Sequence, residues 1–308
     1  MTTLEERSGD APRSGVAEQG KAAAKHPARE ARREAEAGRG WYAWLARTGL
    51  VAKGLSYAVV GVLAAQVAVG AGGKATSRQG ALASIADHTL GSVLLVVLAA
   101  GFASYALWRL VQAFAERGED DDASDQAKTW GTRAGYLGRG AIYASLTYTT
   151  VKILTGAGTG GSQNEQARST TAGVFDWPAG RWLVGIAGLA VLGAGAWNVY
   201  RGVAKKFEDK WRTGKMSGAE RRWGSRAGVA GHIARGVVFG LIGIFLTKAA
   251  LEYDPKEAIG LDGALQKLSQ ASYGPILLGV TAAGLLCYAL FCLVDARYRD
   301  VSVDNGAG

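Results

Sequence analysis

Residues 49–66 read GLVAKGLSYAVVGVLAAQ, and the pattern returns as GYLGRGAIYASLTYTTVK at 135–152 and GHIARGVVFGLIGIFLTK at 231–248. Each copy opens with a Gly, places a base four residues later and follows it at once with a second Gly: Gly49, Lys53, Gly54; Gly135, Arg139, Gly140; Gly231, Arg235, Gly236. Four residues past the base stands an aromatic (Tyr57, Tyr143, Phe239), and thirteen past it a long polar side chain (Gln66, Lys152, Lys248). Upstream, a Trp is followed at +3 by Arg and at +5 by Gly: Trp44, Arg47, Gly49; Trp130, Arg133, Gly135; Trp223, Arg226, Gly228. The third set lies three residues further from its base, as a small insertion would place it. So many agreements in three copies make an internal repeat, and the repeat governs how every doubtful segment is read.

A second element follows in each copy, a Gly with aromatics at +4 and +7 and a terminal residue at +8. The three are Gly101, Tyr105, Trp108, Arg109; Gly193, Trp197, Tyr200, Arg201; and Gly284, Tyr288, Phe291, Cys292. The spacing puts the Gly and both aromatics on one helical face. Cys292 departs from the terminal Arg.

These elements sit in long runs without charge: 20 residues between Lys53 and Lys74, 20 between His88 and Arg109, 19 between Arg181 and Arg201, and 27 between Lys267 and Asp295. A bilayer core takes about 20 mostly apolar helical residues, and a soluble helix of that length carries a charged face. The mean hydropathy of +0.06 conceals this distribution. Soluble enzymes and nucleic-acid binders are excluded, and the charge of +9 needs another explanation. Between Arg139 and Lys152, and between Arg235 and Lys248, only 12 residues are uncharged. Register with the first copy makes both of them spans, their cations reaching the interface on long stems.

The expected fold is all-α and polytopic, with six transmembrane helices as three parallel helix-pair repeats, at about 49–71, 90–113, 135–156, 182–203, 230–251 and 274–294. The organisation reads as a disordered cytoplasmic tail at 1–43, repeats at 44–117, 128–207 and 223–300, and a tail at 301–308. Each copy has an even number of spans, so all enter the membrane alike, around a pseudo-threefold axis along its normal. The outer 1–2 and 5–6 connections share Gly80 to Gly91 and Gly263 to Gly274, an apolar stripe expected as short interfacial helices.

Loop charge sets the orientation. The N-terminal tail, the 2–3 and 4–5 loops and the C-terminal tail hold about 22 Lys and Arg, the opposite loops about 6. Basic loops resist translocation, so both termini are expected in the cytoplasm of a cell bounded by this membrane. The 4–5 loop is richest, with Lys205, Lys206, Lys210, Arg212, Lys215, Arg221, Arg222 and Arg226, and suits anionic phospholipids or an acidic cytosolic protein partner.

The stretch Asp254–Arg299, DPKEAIGLDGALQKLSQASYGPILLGVTAAGLLCYALFCLVDARYR, with the Arg235-Gly236 start and the Asn198-Val-Tyr-Arg201-Gly202 end of the fourth span, resembles bacterial membrane proteins of the domain-of-unknown-function 1206 family. The resemblance covers about residues 44–300 and implies a transmembrane helix pair occurring three times; it implies no activity, substrate or catalytic residue.

Lys53, Arg139 and Arg235 are the candidate anion or lipid-headgroup residues. They lie at equivalent depth about a turn inside the cytoplasmic end, and form either a cationic ring around the axis or three separate snorkels to lipid phosphates. Gln66, Lys152 and Lys248 lie about 20 Å further out but rotated by about 220°, which disfavours a second ring on one straight axis. The spans contain no Asp or Glu, so a carboxylate proton relay has no members. His26, His88 and His232 pair at no common depth, and Cys287 and Cys292 point apart on one helix, so no metal, haem or other cofactor is expected. No catalytic residues are assigned. The expected role is non-enzymatic and structural or interaction-based, with bilayer lipid and an unidentified membrane or cytosolic protein as partners and no nucleic acid. The alternatives are a transporter or channel for a small anionic solute, and anionic-lipid binding.

Overall fold

The computed structural model describes residues 14–71, 82–83, 91–115, 123–157 and 162–300. Its helices are α1 Ser14–Ala68, α2 Gly91–Ala115, α3 Ala123–Leu154, α4 Gln163–Phe175, α5 Gly180–Val203, α6 Gly218–Glu252, α7 Leu261–Ser269 and α8 Gly274–Tyr298. Leu45–Val301 is one compact unit; Met1–Trp44 with Ser302–Gly308 is another, of which the helical backbone from Ser14 is described. The tail expected at 1–43 therefore enters α1 at Ser14.

Five segments are long and apolar enough to cross a membrane: Gly40–Ala68, Gly91–Phe114, Gly180–Val203, Gly218–Glu252 and Gly274–Tyr298. The chain is a multi-pass, all-helical membrane protein built of helix-pair repeats. The expected sixth span, α3, has the length but not the apolarity, because Ser145, Thr147, Tyr148, Thr149, Thr150 and Lys152 occupy its second half. Two of the hydroxyls return to the helix itself, Thr147 to Tyr143 O (2.9 Å) and Thr150 to Leu146 O (2.7 Å), so their polarity is partly satisfied internally.

Local signals set the ends. Ser217 caps α6 in a reciprocal box with Glu220, Ser162 accepts from the amides of Asn164 and Glu165 at the start of α4, and α6 stops at Tyr253 in the left-handed region (φ 52°). The outer helix expected after Gly263 is α7; its counterpart in the first copy lies outside the described residues except for 82–83. Helix α4 was not foreseen, since no apolar period marks it. Polar links dock it, Ser162 Oγ donating to Asp262 Oδ2 (2.6 Å) and Gly260 N to Asn164 Oδ1 (3.3 Å).

Two kinds of close contact join the long helices. Within the first copy, a Cβ on Gly49 would stand 2.5 Å from that of Tyr105, and Gly101 is filled by Ala52; within the third, Gly231 lies against Tyr288 and Gly284 against Ala234. The second kind joins neighbouring copies through the glycine after the base. Gly54 meets Ala289 O and Cys292 Cβ (each 3.1 Å), Gly140 meets Leu110 (3.4 Å), and Gly236 meets Gly195 O (2.9 Å) and Val199. Missing Cβ atoms let backbones approach, which is what drives association where apolar burial offers little. Followed through these contacts, the order is α3, α2, α1, α8, α6, α5. The pseudo-threefold is therefore an arc of alternating contacts, in which, among the described residues, Gly135, Gly138 and Gly193 of the middle copy make no close contact between α3 and α5.

Candidate functional site

The intra-copy glycines bring Tyr105 and Tyr288 to the depth of the bases, and Tyr57 and Tyr143 come from one turn beyond the bases themselves. All four are buried. Tyr57 packs on Tyr288 with ring centroids 4.8 Å apart, and Tyr105 on Tyr143 at 4.3 Å. Lys53 joins the two pairs, its Nζ 5.7 Å from the Tyr105 ring centre and 5.1 Å from that of Tyr288. Arg235 lies over Tyr288 (4.4 Å), Phe239 (5.1 Å) and Tyr57 (5.5 Å), and donates from Nη1 to the Tyr288 hydroxyl at 2.5 Å. Such cation–ring contacts are worth about 2 kcal/mol or more when desolvated.

Lys53 and Arg235 thus share Tyr288. Arg139 is exposed, though within electrostatic reach of Arg235 and Arg109. The structure brings two of the three predicted bases under common rings and leaves the third at the margin. Arg235 Nε is buried with no acceptor among the described residues.

Arg109 was missed as a member. It is buried (6% exposed), donates from Nη2 to Tyr105 Oη (2.7 Å) and from Nη1 to Gln112 Oε1 (2.6 Å), and covers the Trp108 ring at 4.2 Å. The recurrence of aromatics at base depth in both helices of a copy was the available signal; their convergence on the bases depends on helix adjacency, which spacing alone does not supply.

The 4–5 loop is only partly a free basic surface. It folds on the end of α8: Trp211 Nε1 donates to Asp295 Oδ1 (3.0 Å), Asp295 also pairs with Arg299 (2.8 Å), and Arg212 pairs with Asp300 (2.9 Å). Arg221 reaches Glu208 (3.4 Å), and Tyr298 Oη donates to Glu220 (2.5 Å). His232 is buried, its Nδ1 2.7 Å from Gly228 O and its ring stacked on Phe207 at 5.1 Å. Both cysteines are free; Cys292 is buried against Gly54, where a longer side chain would hold α1 off α8. At the helix ends away from the bases Lys248 pairs with Glu257 (2.9 Å) and Glu252 (3.7 Å), while Lys152 lies over Tyr148 (5.6 Å). Arg181 donates to the carbonyls of Ala250 and Leu251, both at 2.8 Å, satisfying the last turn of α6.

The chain is 29% identical over 262 residues to the uncharacterized protein YxxB of Bacillus subtilis (strain 168), covering 85% of this chain and 93% of that one. No solved structure matches it significantly. A family model described as Domain of Unknown Function (DUF1206) matches three segments, 48–116, 134–205 and 230–299. Those segments coincide with the three helix pairs of the repeat, and the chain belongs to that family.

Proposed function

We propose that the protein is a non-enzymatic component of the cytoplasmic membrane with a structural or interaction role, α3 serving as its sixth span and both termini lying inside. The reading of α3 is supported by its register with α1 and α6, base for base and aromatic for aromatic. The orientation is supported by the division of bases, about 22 against 6.

The observation that carries the role is the filling of the interior at base depth by Tyr57, Tyr105, Tyr143 and Tyr288. A solute path requires groups that bind weakly in a hydrated lumen; here Lys53 and Arg235 lie on aromatic faces instead. Exposure of Arg139 favours the second reading, passage of a small anion. Proteoliposomes carrying the full chain should show no chloride or phosphate flux above protein-free vesicles. Flux that disappears with Arg139→Ala and Arg235→Ala together would overturn the structural role. A reporter fused after Gly308 and active only outside the cytoplasm should stay silent.

A further inference from the structure

The middle copy lacks the contact that the other two share. Ala52 fills Gly101 and Ala234 fills Gly284, yet their counterparts Gly138 and Gly193 each have nothing within 4 Å of a Cβ. The same holds for Gly135, whose counterparts Gly49 and Gly231 lie against Tyr105 and Tyr288. Trp197, the counterpart of those tyrosines, is 58% exposed where they are 1% and 2%. Helix α3 buries a single stripe (Tyr136, Gly140, Tyr143, Leu146, Thr150), and α5 likewise (Val184, Gly188, Gly195, Gly202). Each stripe belongs to the neighbour already described, α2 for α3 and α6 for α5. The faces that would meet are unmatched.

The inner end of this cleft is cationic. Arg139 stands on α3 and Arg201, half-exposed, on the last turn of α5, within electrostatic reach of each other. Arg109 and Arg235 are within electrostatic reach of Arg139, each with a buried Nε that meets no acceptor among the described residues. Asp295, an acid in reach of Arg201, already accepts from Arg299 and Trp211. Bases crowded at a membrane interface beside a carboxylate that is already engaged call for a further anion. The unmatched faces beyond them carry Gly135, Gly138, Gly193 and the exposed Trp197, so a ligand that covers them also has apolar length.

The geometry points to a lateral lipid site: the cleft between α3 and α5 receives one anionic phospholipid, its phosphate between Arg139 and Arg201 and its acyl chains along the unmatched faces. This rests on the reading of α3 as a span. The two guanidiniums suit a phosphate through paired N–H donors, and the acyl chains replace the missing helix contact.

The full chain, purified in mild detergent and incubated with phosphatidylglycerol or phosphatidylcholine, should by native mass spectrometry hold one phosphatidylglycerol and little phosphatidylcholine. Arg139→Gln with Arg201→Gln should lower that retention by about tenfold, as loss of one or two charge-assisted hydrogen bonds implies; Lys205→Gln with Lys206→Gln should not. A second variant keeps every base and occupies the cleft: Gly138→Leu with Gly193→Leu, at positions with open space, should also displace the lipid, and decides the matter if the arginine variant does not fold. Equal retention of both lipids, retention unchanged in the cleft-filling variant, or competition by inorganic phosphate alone without lipid selectivity would each overturn the site. So would a dimer in which Gly193→Cys cross-links to its own copy, since a second chain would then cover the cleft. None of these outcomes depends on solute flux or on the Gly308 reporter, so failure of the lipid site and failure of the structural role are separable.

Discussion

Replacing Gly231 by Ala places a Cβ 2.6 Å from the Tyr288 Cα and 2.7 Å from its N, against a preferred separation of about 3.5–4.0 Å. The obstacle is backbone, so α6 and α8 must part by about 1 Å. Overpacking of this kind costs about 1–3 kcal/mol, and the shift also loosens, without breaking, the charge-assisted Arg235–Tyr288 hydrogen bond, at about 1 kcal/mol of the roughly 1.5–3 that such a bond is worth. Alanine gains about 1 kcal/mol over Gly in helix propensity, but that gain recurs at Gly135, the same repeat position, where the new Cβ meets nothing. The difference between Gly231→Ala and Gly135→Ala isolates the packing term at about 2–4 kcal/mol. Equilibrium unfolding of the purified protein in mixed micelles, followed by helical circular dichroism, measures it. Gly231→Ala should unfold first and Gly135→Ala should match or exceed the parent. An equal loss at Gly135 would refute the open contact between α3 and α5, because it would mean that α5 lies against α3 as α8 lies against α6.

Asp295→Asn should destabilise by about 3 kcal/mol, because it strands the buried Arg299 guanidinium, whereas Asp300→Asn, at an exposed pair with Arg212, should change stability by under about 1 kcal/mol; thermal midpoints compare them. Cys292→Arg, which restores the terminal base of the other two copies, should cost at least about 2 kcal/mol by wedging α1 from α8 at Gly54, read as a lowered thermal midpoint. Arg181→Lys loses the two-point bond to Ala250 and Leu251 and should weaken the end of α6 by about 1 kcal/mol, seen as faster hydrogen exchange confined to about residues 248–254.

The helices and their threefold recurrence were legible because burial in lipid leaves charge-free runs, and because Gly, base and aromatic keep one spacing in all copies. The partners of each face were not. A repeat predicts the same contact three times, and only the placement of α5 reveals that the middle copy forgoes it. A trace of this lies in one residue. Tyr105 and Tyr288 offer a hydroxyl that accepts from Arg109 and Arg235, while Trp197 carries an indole that can only donate. The position that must receive a guanidinium hydrogen bond holds Tyr in two copies and a residue incapable of it in the third. Helix α4 was illegible for a different reason, since polar cross-links rather than an apolar stripe dock it.

Because, among the described residues, the glycines of α3 and α5 make no close contact with each other's helix, the unit that repeats in the sequence is not the unit that packs. By packing, the long helices form two halves of three, α1 to α3 and α5, α6 and α8 with the short helices α4 and α7, joined along α1 and α8, the first and last long helices of the chain. Cutting the backbone at 158–161 would sever the middle copy in two without parting any close helix contact described here. Two such fragments made in one cell should find each other through Gly54 and Gly61 on α1 and the Ala282–Cys292 face of α8.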